Sequence, residues 1–98
     1  MSKCYQLTGQ GRDRLGALDD MAGGSYFFGR PAEQRRCARE SILLNEAVGR
    51  RVTIGRLLAA WLDFCQPFQY FEQTFDRLVR VGYLEETECE EMDSHGEV

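Results

Sequence analysis

The stretch FEQTFDRLVRVGYLEE (residues 71–86) contains a helix pattern followed directly by a strand pattern. Gly82 suits the left-handed conformation in which many helices end, and Tyr83 and Leu84 favour an extended backbone. Before Gly82, apolar residues recur at the helical spacing of three or four: Phe68, Phe71, Phe75, Leu78 and Val79. The stretch therefore predicts a helix with one buried face, over residues 68–81, that leads into a strand.

The same helix has a second, polar stripe at spacings of three, four and three residues, formed by Tyr70, Gln73, Arg77 and Arg80. Glutamine pairs bidentately with adenine, arginine with guanine or a phosphate, and an aromatic ring contacts sugar or a thymine methyl. This stripe has the chemistry of a surface that enters a DNA groove. A solvated face is the alternative, because any helix with one apolar face is polar elsewhere, and Glu72 and Asp76 would repel phosphate.

Two further helices are predicted before this one. Pro31 suits a first helical position, and an apolar face continues until Gly49, formed by Cys37, Ala38, Leu44, Ala47 and Val48. Thr53 is a candidate N-cap for IGRLLAAWLDF (residues 54–64). That segment has an apolar stripe of Ile54, Leu57, Leu58, Trp61 and Leu62. We expect Trp61 to be buried between these two helices.

The first thirty residues are less regular. Residues 3–7 favour a short strand, and LTGQGRDRLGALDDM (residues 7–21) predicts a helix that begins near Thr8. Six of the ten glycines precede residue 30, so residues 21–31 are expected to form a connector rich in turns. Within it, the aromatic residues 26–28 are expected to dock on the core as a strand-like patch.

The net charge of −4 is unevenly distributed. Residues 1–80 contain all 12 basic residues and nine acidic ones, whereas residues 81–98 contain seven acidic residues and no basic one. We therefore expect a single domain over residues 1–88 and an acidic, disordered tail over residues 89–98, because the tail has too few apolar groups to offset the entropy of ordering.

Several classes of protein are disfavoured. No apolar run approaches the roughly 20 residues of a membrane span, so we expect a cytoplasmic protein. The four cysteines form no CxxC pair and have no histidine nearby, which predicts reduced thiols without a zinc site. The single histidine, His95, lies in the acidic tail, and no serine or cysteine has a recognisable nucleophile setting. We expect neither an enzyme nor a cofactor.

The order of a support helix, a short capped helix, a turn, a longer helix and VGYLEE resembles the winged helix-turn-helix family over about the last 55 residues. The resemblance implies an α+β fold with three to four helices and a small antiparallel sheet. Residues 53–64 would be the second helix and residues 68–81 the recognition helix. The resemblance also implies a DNA-binding transcriptional regulator. The residues in the DNA groove would be Tyr70, Gln73, Arg77 and Arg80. The phosphate backbone would be contacted by Arg50, Arg51 and Arg56.

Two features keep a second class open. No second apolar strand follows Leu84, so the strand at residues 3–7 can pair with the wing only by a different chain order. Winged-helix folds also bind proteins. The chain is similar to peptide-recognition elements of ribosomal peptide biosynthesis in its size and in the segment RVGYLEE (residues 80–86) that ends its helical half. The alternative is therefore a protein- or peptide-binding module that does not bind DNA, such as a peptide-recognition element or a phage- or plasmid-encoded inhibitor.

The aromatic residues suggest a further partner. Seven of the eleven aromatics lie between Trp61 and Tyr83, more than one helix hairpin needs for its own core. Some of them are expected to be buried in the seam of a homodimer.

Overall fold

Four α-helices and two short strands make up residues 3–89, the part of the chain that the structure, a computed structural model, describes. In chain order they are β1 (Lys3–Leu7), α1 (Gly9–Gly23), α2 (Pro31–Glu46), α3 (Ile54–Asp63), α4 (Phe71–Arg80) and β2 (Leu84–Glu88). A single 3-10 turn, Phe68–Tyr70, precedes α4. The α+β class with four helices and a two-stranded antiparallel sheet is as predicted.

Local sequence signals explain where the helices begin and end. The Thr8 hydroxyl accepts a hydrogen bond from the Gly11 N–H at 2.9 Å and so caps α1, and Thr53 caps α3 in the same way. Pro31 begins α2 at the first helical position. Gly82 has a φ of +91°, the left-handed conformation predicted for the end of α4. These boundaries confirm the pattern of helices predicted from the sequence.

The sheet joins the two ends of the domain. β1 pairs with β2 in antiparallel register from Lys3 opposite Glu88 to Leu7 opposite Leu84. Tyr5 also exchanges two backbone hydrogen bonds with Val52, between α2 and α3, so β1 lies between Val52 and β2. The strand at the start of the chain thus supplies the partner of β2, in the different chain order that such a pairing requires.

Trp61 is at the centre of the core and is completely buried, which confirms the prediction. Its indole N–H donates to the Pro67 carbonyl at 2.8 Å, and its ring meets the Phe71 ring edge to face at 5.7 Å. A buried indole that finds a hydrogen-bond partner loses little on leaving water. The contact fixes the turn between α3 and α4.

The predicted apolar faces of the helices extend further than the core does. About half of the side-chain surface of the outermost predicted members remains exposed, and Phe68 is 66% exposed. The members that lie outside the core are Ala38, Val48, Ile54, Leu62 and Phe68. Each helix contacts its neighbours over a narrower stripe than its apolar pattern, so residues at the margins of that pattern stay at the surface.

The aromatic patch at residues 26–28 is not strand-like. The Phe28 N–H donates to Ser25 and the Arg30 N–H donates to Phe27, so the backbone turns instead of extending. Phe27 packs against the core, whereas Phe28 is 91% exposed. The prediction was wrong because successive turns prevent the alternation of side chains that a strand requires.

The prediction of reduced thiols is wrong for two of the four cysteines. Cys4 and Cys89 form a disulfide, with a Cα–Cα distance of 5.0 Å and a sequence separation of 85 residues. The pairing of β1 with β2 brings these distant positions together. Cys37 and Cys65 are free thiols, the first buried and the second exposed.

Some predictions concern residues outside the described range. The predicted tail, residues 89–98, lies outside it except for Cys89, as does His95. Between residues 3 and 89 no helix is both long enough and apolar enough to cross a membrane. The same residues contain no group of three or more histidine, cysteine, aspartate or glutamate side chains suited to holding a metal ion.

Candidate nucleic-acid interface

A groove between the first half of α2 and α4 is lined by five arginines and one glutamate, and we call it the arginine groove. Its cavity volume is roughly 520 Å³. The residues that line it are Ala32, Arg35, Arg36, Arg39, Glu40, Tyr70, Gln73, Thr74, Arg77 and Arg80. The groove is therefore a concave, strongly basic surface built from two helices.

All four members of the polar stripe predicted on α4 line this groove. Phe71, Phe75 and Leu78 are buried on the opposite side of α4, so the stripe lies on the side of the helix that borders α2. Gln73 and Arg80 are exposed, whereas Tyr70 and Arg77 are half-buried. The stripe thus forms one wall of a groove whose other wall is α2.

The second wall contains three arginines that the sequence interpretation left out: Arg35, Arg36 and Arg39. Their sequence signal was present, since Arg35 and Arg39 are four residues apart and Arg36 and Arg39 are three apart, spacings that share one helix face. The predicted helix there had been assigned only a supporting role. What the pattern lacked was any indication that this face would lie beside Arg77 and Arg80.

Glu40 links the floor of the groove to α1. Its side chain is 0% exposed, and its two carboxylate oxygens accept one hydrogen bond each. Arg14 Nε donates to Oε1 at 3.1 Å, and Arg77 Nε donates to Oε2 at 3.2 Å. A buried carboxylate held by two guanidinium groups is neutralised where it lies, so it subtracts little from the positive charge of the groove.

The contact with Glu40 also changes the pKa of Arg14. Burial alone would lower the pKa of its guanidinium, but the charge of Glu40 and the hydrogen bond to it outweigh that effect, so the pKa of Arg14 is raised above its ordinary value. Arg14 therefore keeps its positive charge beside Glu40.

Arg39 is also held in place. Its Nε donates to Gln66 Oε1 at 2.9 Å, and its guanidinium carbon lies 4.5 Å from the centroid of the Tyr70 ring. Stacking of a planar guanidinium on an aromatic ring fixes its orientation and adds a cation–π attraction. Tyr70 therefore acts in this groove as a support for an arginine.

The other predicted DNA contacts, Arg50, Arg51 and Arg56, do not line the groove. Arg50 and Arg56 both bind the same oxygen of Glu46 at 2.9 Å, and we call these three residues the Glu46 cluster. Arg51 donates to the backbone carbonyl of Glu88 at 2.9 Å. Arg39, the groove arginine nearest to Glu46 along α2, precedes it by seven residues, about 10 Å along the helix axis. The two sets of arginines therefore lie at different places along α2.

An apolar surface lies apart from both arginine sets. Ile54, Leu58 and Phe68 surround a depression beside Phe71 where the start of α3 meets the 3-10 turn. Ile54 and Phe68 are well exposed there. Contiguous exposed apolar surfaces of this kind often contact another protein.

Comparison of the chain with protein-family models, with curated proteins and with solved structures finds no match.

Proposed function

We propose that this protein binds double-stranded DNA through the arginine groove and acts as a transcriptional regulator. The observation that carries the proposal is the convergence of five arginines around a single carboxylate, Glu40, which is itself neutralised by one of them, Arg77, together with Arg14 of α1. Neutralisation of phosphates by arginine releases counterions from DNA and supplies most of the non-specific affinity. Arginine also matches phosphate and guanine with a planar pair of donors.

The residues of the groove divide between two tasks. Gln73 and Arg80 are exposed on α4 and read base edges, since glutamine and arginine make the bidentate contacts that distinguish adenine and guanine. Arg35 and Arg36 are exposed on α2 and contact phosphates. Arg77 lines the groove with its Nε bound to Glu40, so its terminal nitrogens remain as donors for a ligand. Arg50, Arg51 and Arg56 remain predicted phosphate contacts, weakened for two of them by the bonds to Glu46.

The order of the elements supports a winged helix-turn-helix assignment. α3, a turn, α4 and β2 follow one another as the second helix, recognition helix and first wing strand do in that family. β1 supplies the antiparallel partner of β2 that the wing otherwise takes from the next strand in the chain. In this assignment α2 is the helix that supports the other two.

We place the protein in the cytoplasm with its DNA target, where disulfides are rare. The Cys4–Cys89 bond would be an exception there. Lysis of expressing cells directly into denaturant that contains an alkylating reagent, followed by a count of alkylated cysteines, tests this part of the proposal. Two alkylated cysteines, Cys37 and Cys65, are expected, and four would contradict the persistence of the bond in that compartment.

A titration of labelled genomic DNA fragments at low salt, repeated as the salt concentration rises, tests DNA binding. The double variant Arg35→Ala, Arg36→Ala is expected to lose affinity and to flatten the dependence on salt by about two units, one for each lost phosphate contact. The double variant Lys3→Ala, Arg30→Ala is the matched control, because it removes two exposed positive charges that lie outside the groove. Absence of any binding at low salt would contradict the proposal.

A second candidate is a protein- or peptide-binding module. It is favoured by the outer edge of β2, which has no strand beside it within residues 3–89, and by the apolar surface around Phe68. An extended peptide would add to that edge through main-chain hydrogen bonds. Under this alternative the groove variants leave partner binding unchanged, because they lie away from the edge.

We also expect the protein to bind DNA as a homodimer. The apolar surface at Ile54, Leu58 and Phe68 would supply the centre of the contact. Sedimentation velocity of Phe68→Ser is expected to show monomers where the parent chain shows dimers. Phe28→Ser is the matched control, because Phe28 is an exposed phenylalanine outside that surface, and equal effects of the two substitutions would contradict this interface.

A further inference from the structure

Arg39 and Arg77 are the two arginines of the groove whose guanidinium groups are already oriented. Each uses its Nε to reach an anchor, Gln66 for Arg39 and Glu40 for Arg77. Within residues 3–89 the terminal nitrogens of both side chains make no hydrogen bond. Each therefore retains donors for a ligand in the groove.

The anchors differ in kind but have the same effect. Glu40 is fully buried and held from the other side by Arg14, so it cannot follow a ligand outward. Arg39 is held on its flat side by the Tyr70 ring and at its Nε by Gln66. Because these contacts restrict both side chains before a ligand arrives, binding costs less conformational entropy than it would with free surface arginines.

The surroundings fit a small anionic group. A cavity of roughly 520 Å³ is within the range of about 300 to 1,000 Å³ for small-molecule sites. Thr74 adds a hydroxyl and Gln73 an amide to the same lining, and Glu40, the one carboxylate among its described residues, has both oxygens bonded. A planar arginine fork matches two oxygens of a phosphate, and charge-assisted hydrogen bonds of this kind are the stronger class.

We propose that the floor of the arginine groove is a binding site for one phosphate group, held between the terminal nitrogens of Arg39 and Arg77. The inference rests on the proposed function where the phosphate belongs to a DNA strand. The same chemistry accepts the phosphate of a free nucleotide. In both cases the two anchored arginines hold the phosphate, and the exposed Arg35, Arg36 and Arg80 surround the rest of the ligand.

Isothermal titration with deoxyadenosine 5′-monophosphate, in the absence of DNA, tests the site. Binding is expected for the monophosphate and not for deoxyadenosine, which lacks the phosphate. Arg39→Ala is expected to weaken binding by about tenfold or more, as for loss of a hydrogen bond to a charged group. Arg39→Lys should weaken it too, because lysine keeps the charge but not the planar fork held on Tyr70. Arg12→Ala is the control of equal charge.

Arg77→Ala is the second test, and it requires a check of folding by circular dichroism because it leaves Glu40 with one partner. Arg39→Ala, which leaves Glu40 untouched, keeps the inference testable if that variant does not fold. No binding of the monophosphate at about 1 mM, or equal losses in Arg39→Ala and Arg12→Ala, would overturn the phosphate site. DNA binding that persists in that case would leave the proposed function standing, whereas monophosphate binding without DNA binding would refute only the proposed function.

Discussion

The arginine groove and the Glu46 cluster each combine arginines with one glutamate, yet only the first leaves its positive charge available. In the groove, Glu40 lies beneath the surface at 0% exposure and holds Arg77 and Arg14 through their Nε atoms. In the cluster, the Glu46 side chain is 21% exposed and lies among the arginines it binds, Arg50 and Arg56. A buried carboxylate orients the guanidinium groups around it, whereas a surface carboxylate competes directly with any incoming anion.

The difference shows that a count of arginines does not measure the affinity of a surface for phosphate. Arg35, Arg36 and Arg80 make no ion pair within residues 3–89, so the groove retains free cations beyond those attached to Glu40. In the Glu46 cluster both arginines share one carboxylate oxygen. The location of the carboxylate relative to the arginines therefore decides which of the two surfaces can bind a polyanion.

The largest expected effect is on stability. Glu40→Ala is expected to lower the free energy of unfolding by about 3 kcal/mol, because it removes two charge-assisted hydrogen bonds. Each is counted at about 1.5 kcal/mol, since the Arg14 and Arg77 side chains are partly exposed to water. Glu46→Ala is expected to cost at most about 1 kcal/mol, since its ion pairs are exposed to solvent. Guanidinium denaturation of both variants gives the comparison. Equal losses would show that the two carboxylates do not differ in structural role.

The next effect concerns DNA recognition. Arg80→Ala is expected to cost about 1 to 3 kcal/mol of binding free energy on a preferred site and to relax the preference at one base pair. Arg50→Ala is expected to weaken binding to all sequences evenly and by less, because Glu46 already occupies its guanidinium. Competition assays with matched and mismatched duplexes separate the two outcomes. A loss of specificity in Arg50→Ala would reverse the assignment of the two surfaces.

Removing the negative charge of the Glu46 cluster tests the comparison in a second way. Glu46→Gln removes the negative charge that holds Arg50 and Arg56 and is expected to tighten DNA binding, with a dependence on salt that steepens by about one unit. Glu40→Gln is not expected to tighten DNA binding, because Arg77 already lines the groove while it is bound to Glu40. DNA affinity measured from low to moderate salt tests this pair. A decrease in affinity for Glu46→Gln would show that Glu46 positions its arginines as Glu40 does.

The smallest expected effect concerns the carboxylates at the end of the chain, which belong neither to the arginine groove nor to the Glu46 cluster. Residues 90–98 contain four acidic side chains and no basic one, and they lie outside the described residues. Deletion of residues 90–98, which leaves Cys89 in place, is expected to tighten DNA binding by about 0.5 kcal/mol at low salt and by less at high salt. Unchanged affinity at low salt would show that these carboxylates do not compete for the arginine groove.

The sequence determined the features that depend on neighbours along the chain. The spacing of Phe71, Phe75 and Leu78 makes one face of α4 apolar, Thr8 and Thr53 satisfy donors within three residues of themselves, and Gly82 adopts a conformation that disfavours other residues. The polar stripe of α4 follows from the same periodicity. Each of these signals is read within one or two helical turns, and this is why the helices and the stripe could be predicted.

The tertiary structure decided what these elements face. Glu40 is buried because Arg14 and Arg77, 26 and 37 residues away, meet on its two oxygens. Cys4 and Cys89 join because β1 pairs with β2 across the whole domain. The second wall of the arginine groove likewise depends on the packing of α2 beside α4. Periodicity states which residues share a helix face but not which other face lies opposite it, because that choice depends on the free energy of packing the whole chain.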